Sequence, residues 1–162
     1  MTDLSSDAPT GAVESRLADL GRTLPSVAAP VGAYAPAVVS GRWAWTSGQL
    51  PFVDGALPAT GKVGVTVDPA TAQDLAATSA LNALAAIKSV IGDLDRVVRV
   101  VKVVGFVASD PSFTGQPQVL NGASDLIGAL FVDAGVHARS AVGVAVLPMD
   151  SPVEVELVVE FD

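Results

Sequence analysis

From Val153 to Phe161 apolar side chains stand at every second position, Val153, Val155, Leu157, Val159 and Phe161, with Glu154, Glu156 and Glu160 between them. A period of two is the mark of a strand that buries one face. The nearly all-apolar run Ser140–Val146 predicts a strand before it, and Leu147 to Pro152 a short Pro-bounded turn between the two. Val97–Val107 is dense in Val and predicts a long central strand. Arg96, Arg99 and Lys102 recur at intervals of three beside it and mark solvent-facing or edge positions. Strict alternation therefore breaks once, and a bulge is expected near Val100–Val103. Two short strands are expected upstream, around Tyr34–Val39 and Trp43–Ser47, turning at Ser40-Gly41. A loop from Pro51 to Gly64 follows, with turn dipeptides Asp54-Gly55 and Thr60-Gly61 and room for one hairpin.

Helical spacing appears three times. Asp68-Pro69 is a capped start for a helix that runs to Ile91 and stops at Gly92. Leu75, Ala76, Ser79, Leu81, Leu84, Ile87 and Ile91 form its broad apolar face, and Asn82 is expected on its polar face or at a sheet edge. Asp110-Pro111 predicts the start of a second helical segment that buries Val119, Leu120, Ala123, Leu126, Ile127, Leu130 and Phe131 and ends by Gly135. A short amphipathic helix over Ala12–Leu24, ending near Gly21, carries Val13, Leu17, Leu20 and Leu24. Pro25–Gly32 reads as a linker, and residues 1–10 as a disordered tail. The order β-β-α-β-α-β-β predicts an α+β fold: one mixed sheet with two long helices packed on one face. The other face then needs a cover, and a symmetric oligomer is the expected one.

Composition narrows the function more than the fold. The 162 residues carry a net charge of -8, with nine basic side chains and no basic stripe, so no nucleic-acid partner is expected. No cysteine is present, which removes disulfides, thiolate nucleophiles and zinc–cysteine sites together. The N-terminus has neither the basic nor the apolar region of a signal peptide, and no apolar run approaches a membrane span of about 20 residues. A cytoplasmic location and no membrane partner are the expectations.

Little polar chemistry remains. His137 is the only histidine, which excludes a two-histidine metal site within one chain, and no Gly-x-Ser-x-Gly elbow occurs. His137 reads as a turn residue before a strand or as a group beside a pocket. Arg139 sits among small and apolar neighbours at the mouth of its strand. Its planar fork suits a carboxylate or phosphate, with a structural ion pair as the alternative. Glu154 is either a catalytic carboxylate or one of three acids on a wet strand face. The pair Asp93/Asp95 lies in a helix–strand turn, where capping is the usual role. If Leu147–Pro152 simply reverses the chain, Arg139 and Glu154 lie roughly 20 Å apart within one subunit. A site using both must then be shared between subunits.

Several segments together resemble the RidA family of enamine/imine deaminases, also called the YjgF family. They are Ala29-Pro30-Val31-Gly32-Ala33-Tyr34 with Ala37-Val38, Ser47-Gly48-Gln49-Leu50-Pro51, Asp95-Arg96-Val97, Ala138-Arg139-Ser140 with Val144 and Leu147-Pro148, and Val153-Glu154-Val155-Glu156. The resemblance covers residues 29–162, leaving 11–28 as an N-terminal helix and linker. It implies a chorismate-mutase-like fold, a homotrimer with clefts between subunits, and hydrolysis of small imino or enamino acids to 2-keto acids and ammonia without a cofactor. By the same resemblance Arg139 binds the substrate carboxylate and Glu154 positions the attacking water. Tyr34, Ser47 and Gly48 line the pocket, and Asn121 falls near a pocket Asn. His137 stands where a Pro usually precedes Ala-Arg, and Ala141 where many members have Cys, so both are candidate pocket residues. The extra N-terminal helix and the longer loop after Pro51 indicate a longer branch of the family. The runner-up is a silent trimer that binds a small carboxylate metabolite through Arg139. An endoribonuclease or translation inhibitor, as some members are described, is the weakest alternative given the acidic charge.

Overall fold

A computed structural model describes residues 11–30 and 32–162; the expected tail at residues 1–10 lies outside them. Helix α1 (Ala12–Asp19) precedes strands β1 (Ala37–Ser40) and β2 (Trp43–Thr46), and α2 (Pro69–Ile91) leads to β3 (Val97–Ala108). Helix α3 (Gln116–Phe131) leads to β4 (Ala138–Val144) and β5 (Val153–Phe161). Among the described residues the architecture is mixed α+β, with three α-helices and one five-stranded sheet in the order β1-β2-β5-β3-β4. Only β3 and β4 are parallel, because α3 crosses over between them; the other pairs are antiparallel.

The local signals explain most boundaries. Asp68 accepts a hydrogen bond from the Thr71 amide at 3.0 Å, Pro69 needs no donor at the first turn, and Gly92 leaves α2 at φ 91°. By length and composition α2 could cross a bilayer, but 72% of its apolar window is buried inside the fold. It lies on the sheet with Ala76, Ala80, Ala83, Leu84 and Ile87 wholly enclosed, opposite Val155, Leu157 and Val159. The central strand β3 carries two register shifts, between Val97 and Arg99 and between Val100 and Lys102. The sequence required only one break. Val53 and Ala56 pair across Asp54-Gly55, the one hairpin of the long loop.

Two boundaries move. The second long helix starts at Gln116, not at Asp110-Pro111. The Asp110 carboxylate accepts from the amide and hydroxyl of Ser112 and closes a local turn, so it is not available to cap a helix. Helix α1 stops at Asp19, two residues before the expected end near Gly21, where the backbone turns with φ 69°. It is tied down from outside: Asp95 accepts from the Ala12 and Val13 amides at 2.7 and 2.9 Å, Arg16 donates to the Leu130 carbonyl, and Lys88 pairs with Glu14. Capping is thus the use made of Asp95, and Asp93 likewise accepts from the Asp95 amide at 2.9 Å.

All the helices lie on one side of the sheet. On the other, Val38, Trp43, Trp45, Val98 and Val142 are exposed, and Trp43, Trp45, Val101, Lys102 and Val158 frame a shallow apolar hollow.

Candidate functional site

Arg139 is the second residue of the edge strand β4 and pairs with Val103, whose side chain is buried beneath the helices. Paired residues share a face, so Arg139 reaches towards α3. There its Nη1 donates to Asn121 Oδ1 at 2.9 Å and to Ser124 Oγ at 3.1 Å. Asn121 and Ser124 are three apart and project from one side of α3. Ser124 Oγ lies 3.0 Å from His137 Nε2, and His137 Nδ1 lies 2.6 Å from the Gly135 carbonyl. A carbonyl only accepts, so Nδ1 carries hydrogen, and in the neutral ring Nε2 accepts from the Ser124 hydroxyl. The Ser124 lone pairs are left for Arg139. One polar chain therefore runs from Gly135 through His137 and Ser124 to the guanidinium, and one nitrogen of the fork is held. No carboxylate pairs with Arg139 among the described residues, so the structural ion pair does not occur there. Nε and Nη2 donate to no described residue.

Glu154 is the second residue of β5, paired with Phe106, on the side of the sheet away from the helices. It is half-buried and accepts no hydrogen bond from the described residues. Burial raises its pKa above the ordinary carboxylate value, with a smaller push from the negative charge of Glu156, whose own pKa burial also raises. The backbone at Gly48 runs directly over this carboxylate: a Cβ there would stand 1.6 Å from Glu154 Oε1. Gly48 is therefore a requirement of close approach. Next to it, Gln49 exchanges both backbone hydrogen bonds with Val155. Ser47 donates its hydroxyl to the Ala35 carbonyl at 2.6 Å and so fastens the segment that carries Tyr34. Tyr34 and Gly48 face one small cavity with Gln49, Leu50 and Phe52.

The predicted residues thus fall into two half-sites. Asn121, His137 and Arg139 assemble at α3 and β4, while Tyr34, Ser47, Gly48 and Glu154 assemble around the start of β5. Ala141 pairs with Gly105 and packs against the core. The Arg139–Glu154 separation is shorter than the simple reversal predicted, because β4 and β5 are not neighbours. Strand β3 lies between them, with Arg139 level with Val103 and Glu154 level with Phe106. Three residues along the strand and two strand spacings across it separate the Cα atoms by roughly 14 Å, not 20 Å. The greater obstacle is the sheet itself, since the two side chains leave it on opposite faces. Sequence reasoning also missed Ser124. The signal was present in the pairs Asn121/Ser124 and His137/Arg139, whose spacings of three and two share a face on a helix and in extended chain.

Comparison with known proteins places this geometry. Residues 14–161 match the family described as "YjgF/chorismate_mutase-like, putative endoribonuclease". The chain is 46% identical over 154 residues to Protein TCP17 of Trypanosoma cruzi, covering 94% of this chain and 96% of that one. It is 45% identical to Atu1372 of Agrobacterium tumefaciens, a protein of unknown function, with a TM-score of 0.87 over 93% of this chain and 94% of that chain. E. coli TdcF, solved with bound serine, matches at 25% identity and a TM-score of 0.61, over 87% of this chain and 97% of that one. The chain belongs to the YjgF/chorismate-mutase-like family.

Proposed function

We propose that the chain is a hydrolytic enamine/imine deaminase of small carboxylates, working as a homotrimer whose sites lie between subunits. The observation that carries this reading is the division of the two half-sites by the sheet. A guanidinium with half its fork unspent lies on one side, and a desolvated carboxylate with a raised pKa lies on the other. Each half is incomplete alone, and a neighbouring copy supplies the other half. The exposed apolar face around Trp43 and Trp45 is the kind of surface that association buries.

In the shared cleft Nε and Nη2 of Arg139 bind the carboxylate of a 2-imino acid and fix its plane. Glu154 of the neighbouring copy accepts a proton from water as the oxygen adds to C2. That proton passes to the nitrogen. The new hydroxyl then gives up its own proton to the amino group, and the C2–N bond breaks as the C2=O bond forms. Ammonia departs and a 2-keto acid remains. No cofactor takes part in this sequence.

The test is ammonia and keto-acid release from freshly generated imino acids by wild type, Arg139→Ala, Glu154→Gln and a refolded equal mixture of the two variants. Each variant alone is expected to lose at least about nine-tenths of the wild-type rate at substrate concentrations below KM. If every site takes its arginine and glutamate from different copies, random mixing restores on the order of a quarter of the sites. No recovery in the mixture excludes the shared cleft. One observation favours a second reading: TdcF holds serine, an amino acid with a carboxylate and no imine. Wild type that binds a carboxylate through Arg139 but turns over no imino acid is the silent metabolite binder.

A further inference from the structure

Asn82 was expected on a polar face or at a sheet edge. It is instead 3% exposed in the middle of α2, and its amide nitrogen donates to the Leu50 carbonyl at 2.8 Å and to the Phe52 carbonyl at 3.1 Å. Two carbonyl acceptors use both hydrogens and fix the orientation of the amide. Its Oδ1 is thereby turned away from the loop. That oxygen accepts from no described residue, and it is not sealed in the interior, where Ser79 Oγ is the only side-chain polar atom without a partner among the described residues. Asn82 lines a cavity of about 570 Å³ beneath the chain that follows α1. Val27, Ala28, Phe52 and Met149 supply apolar wall, and Asp54 is the only charged residue among the described ones that line it. Asn82 and Asp54 also line a smaller adjoining cavity of about 320 Å³, which Arg22 borders.

A carbonyl oxygen with no protein donor beside a cavity can accept a hydrogen bond from a ligand there. With Asp54 on the same lining, the acceptors favour a cation and disfavour the carboxylates that Arg139 suits. The volume and mixed lining are those of a small-molecule site. We propose that this cavity binds a small primary amine with an apolar body. The ammonium donates to Asn82 Oδ1 and to the Asp54 carboxylate, and the body lies against Phe52, Val27 and Met149. The site is separate from the Arg139 half-site and does not depend on the deaminase reading.

The experiment titrates the full-length protein with benzylamine and with benzoate at pH 7, following backbone and Asn side-chain amides by NMR. Saturable binding of benzylamine at about 0.1–1 mM is expected, with shifts at the Asn82 amide group and at Val27, Phe52 and Gly55. Asp54→Asn, which leaves the Asn82 bonds to the loop intact, is expected to weaken it at least about tenfold. Ala28→Trp fills the cavity and is expected to abolish it. Arg139→Ala is expected to bind benzylamine as wild type does. Equal binding of benzoate, undiminished binding by Asp54→Asn and Ala28→Trp, or loss in Arg139→Ala each overturns the proposal. So does the absence of saturable shifts, which leaves solvent as the only donor to Asn82.

Discussion

The two half-sites hold their charges in opposite ways. Arg139 stands at the end of a hydrogen-bonded chain through Ser124 and His137, with Asn121 as a second support. Glu154 has no such support: it is half-buried, accepts no hydrogen bond from the described residues and shares its strand face with Glu156. A guanidinium stays charged whatever its surroundings, so the fold can use polar contacts to aim it. A carboxylate in the same network would lose basicity, because hydrogen bonds to the charged form lower its pKa. Leaving Glu154 desolvated and unsupported keeps it a stronger base. On the proposed function, the arrangement separates a binding group that must be precise from a reacting group that must be basic.

That contrast breaks most sharply at Glu154. Glu154→Gln is expected to lower kcat by about 10²–10⁴ with ligand binding retained, the range for a lost general base; steady-state kinetics with a parallel binding titration checks both halves. Arg139→Ala is expected to raise KM for the carboxylate substrate by about 10–100-fold, the value of one charge-assisted contact pair. Gly48→Ala puts a methyl group where Glu154 Oε1 lies. It is expected to lower kcat more than it raises KM, and unchanged kcat would show that the carboxylate need not lie there. Ser124→Ala removes one of two supports of Arg139 and is expected to raise KM about 3–10-fold. Lys in place of Arg139 is then expected to lose more than Ser124→Ala does, since it cannot reproduce the fork.

The smallest expected effect is one of pH. Burial, with the charge of Glu156 second, raises the Glu154 pKa, so the acid limb of kcat/KM is expected above the ordinary carboxylate range. Glu156→Gln removes the second cause and moves the limb part of the way down. Glu156 also has a raised pKa in the fold, so the native chain binds more protons than the unfolded one between its unfolded and folded pKa values. Stability therefore falls as pH rises through that window, and the deficit persists above it. Glu156→Gln is expected to raise Tm at pH 7, with no gain below about pH 4, where the carboxyl is protonated in both states.

Elements whose ends are marked by neighbouring residues were legible in the chain itself. Asp68-Pro69 and Gly92 bound α2, alternation bounds β5, and both depend on interactions within a few residues or on a face repeated at a fixed period. The motif around Arg139 and the Val-Glu-Val-Glu pattern likewise located the two charged groups and the family. The failed helix start at Asp110 shows the limit of such signals: the same carboxylate can cap a helix or close a turn, and Ser112 decides which. Strand order belongs to the tertiary structure, because β4 and β5 compete for the edges of β3 and the crossover of α3 settles β4 on the far side. The register against β3, with Arg139 level with Val103 and Glu154 level with Phe106, puts the two side chains on opposite faces. Ser124 and Asn82 acquired their contacts in the same way, since a polar residue within a helix shows its use only when the partner across the interface is in place.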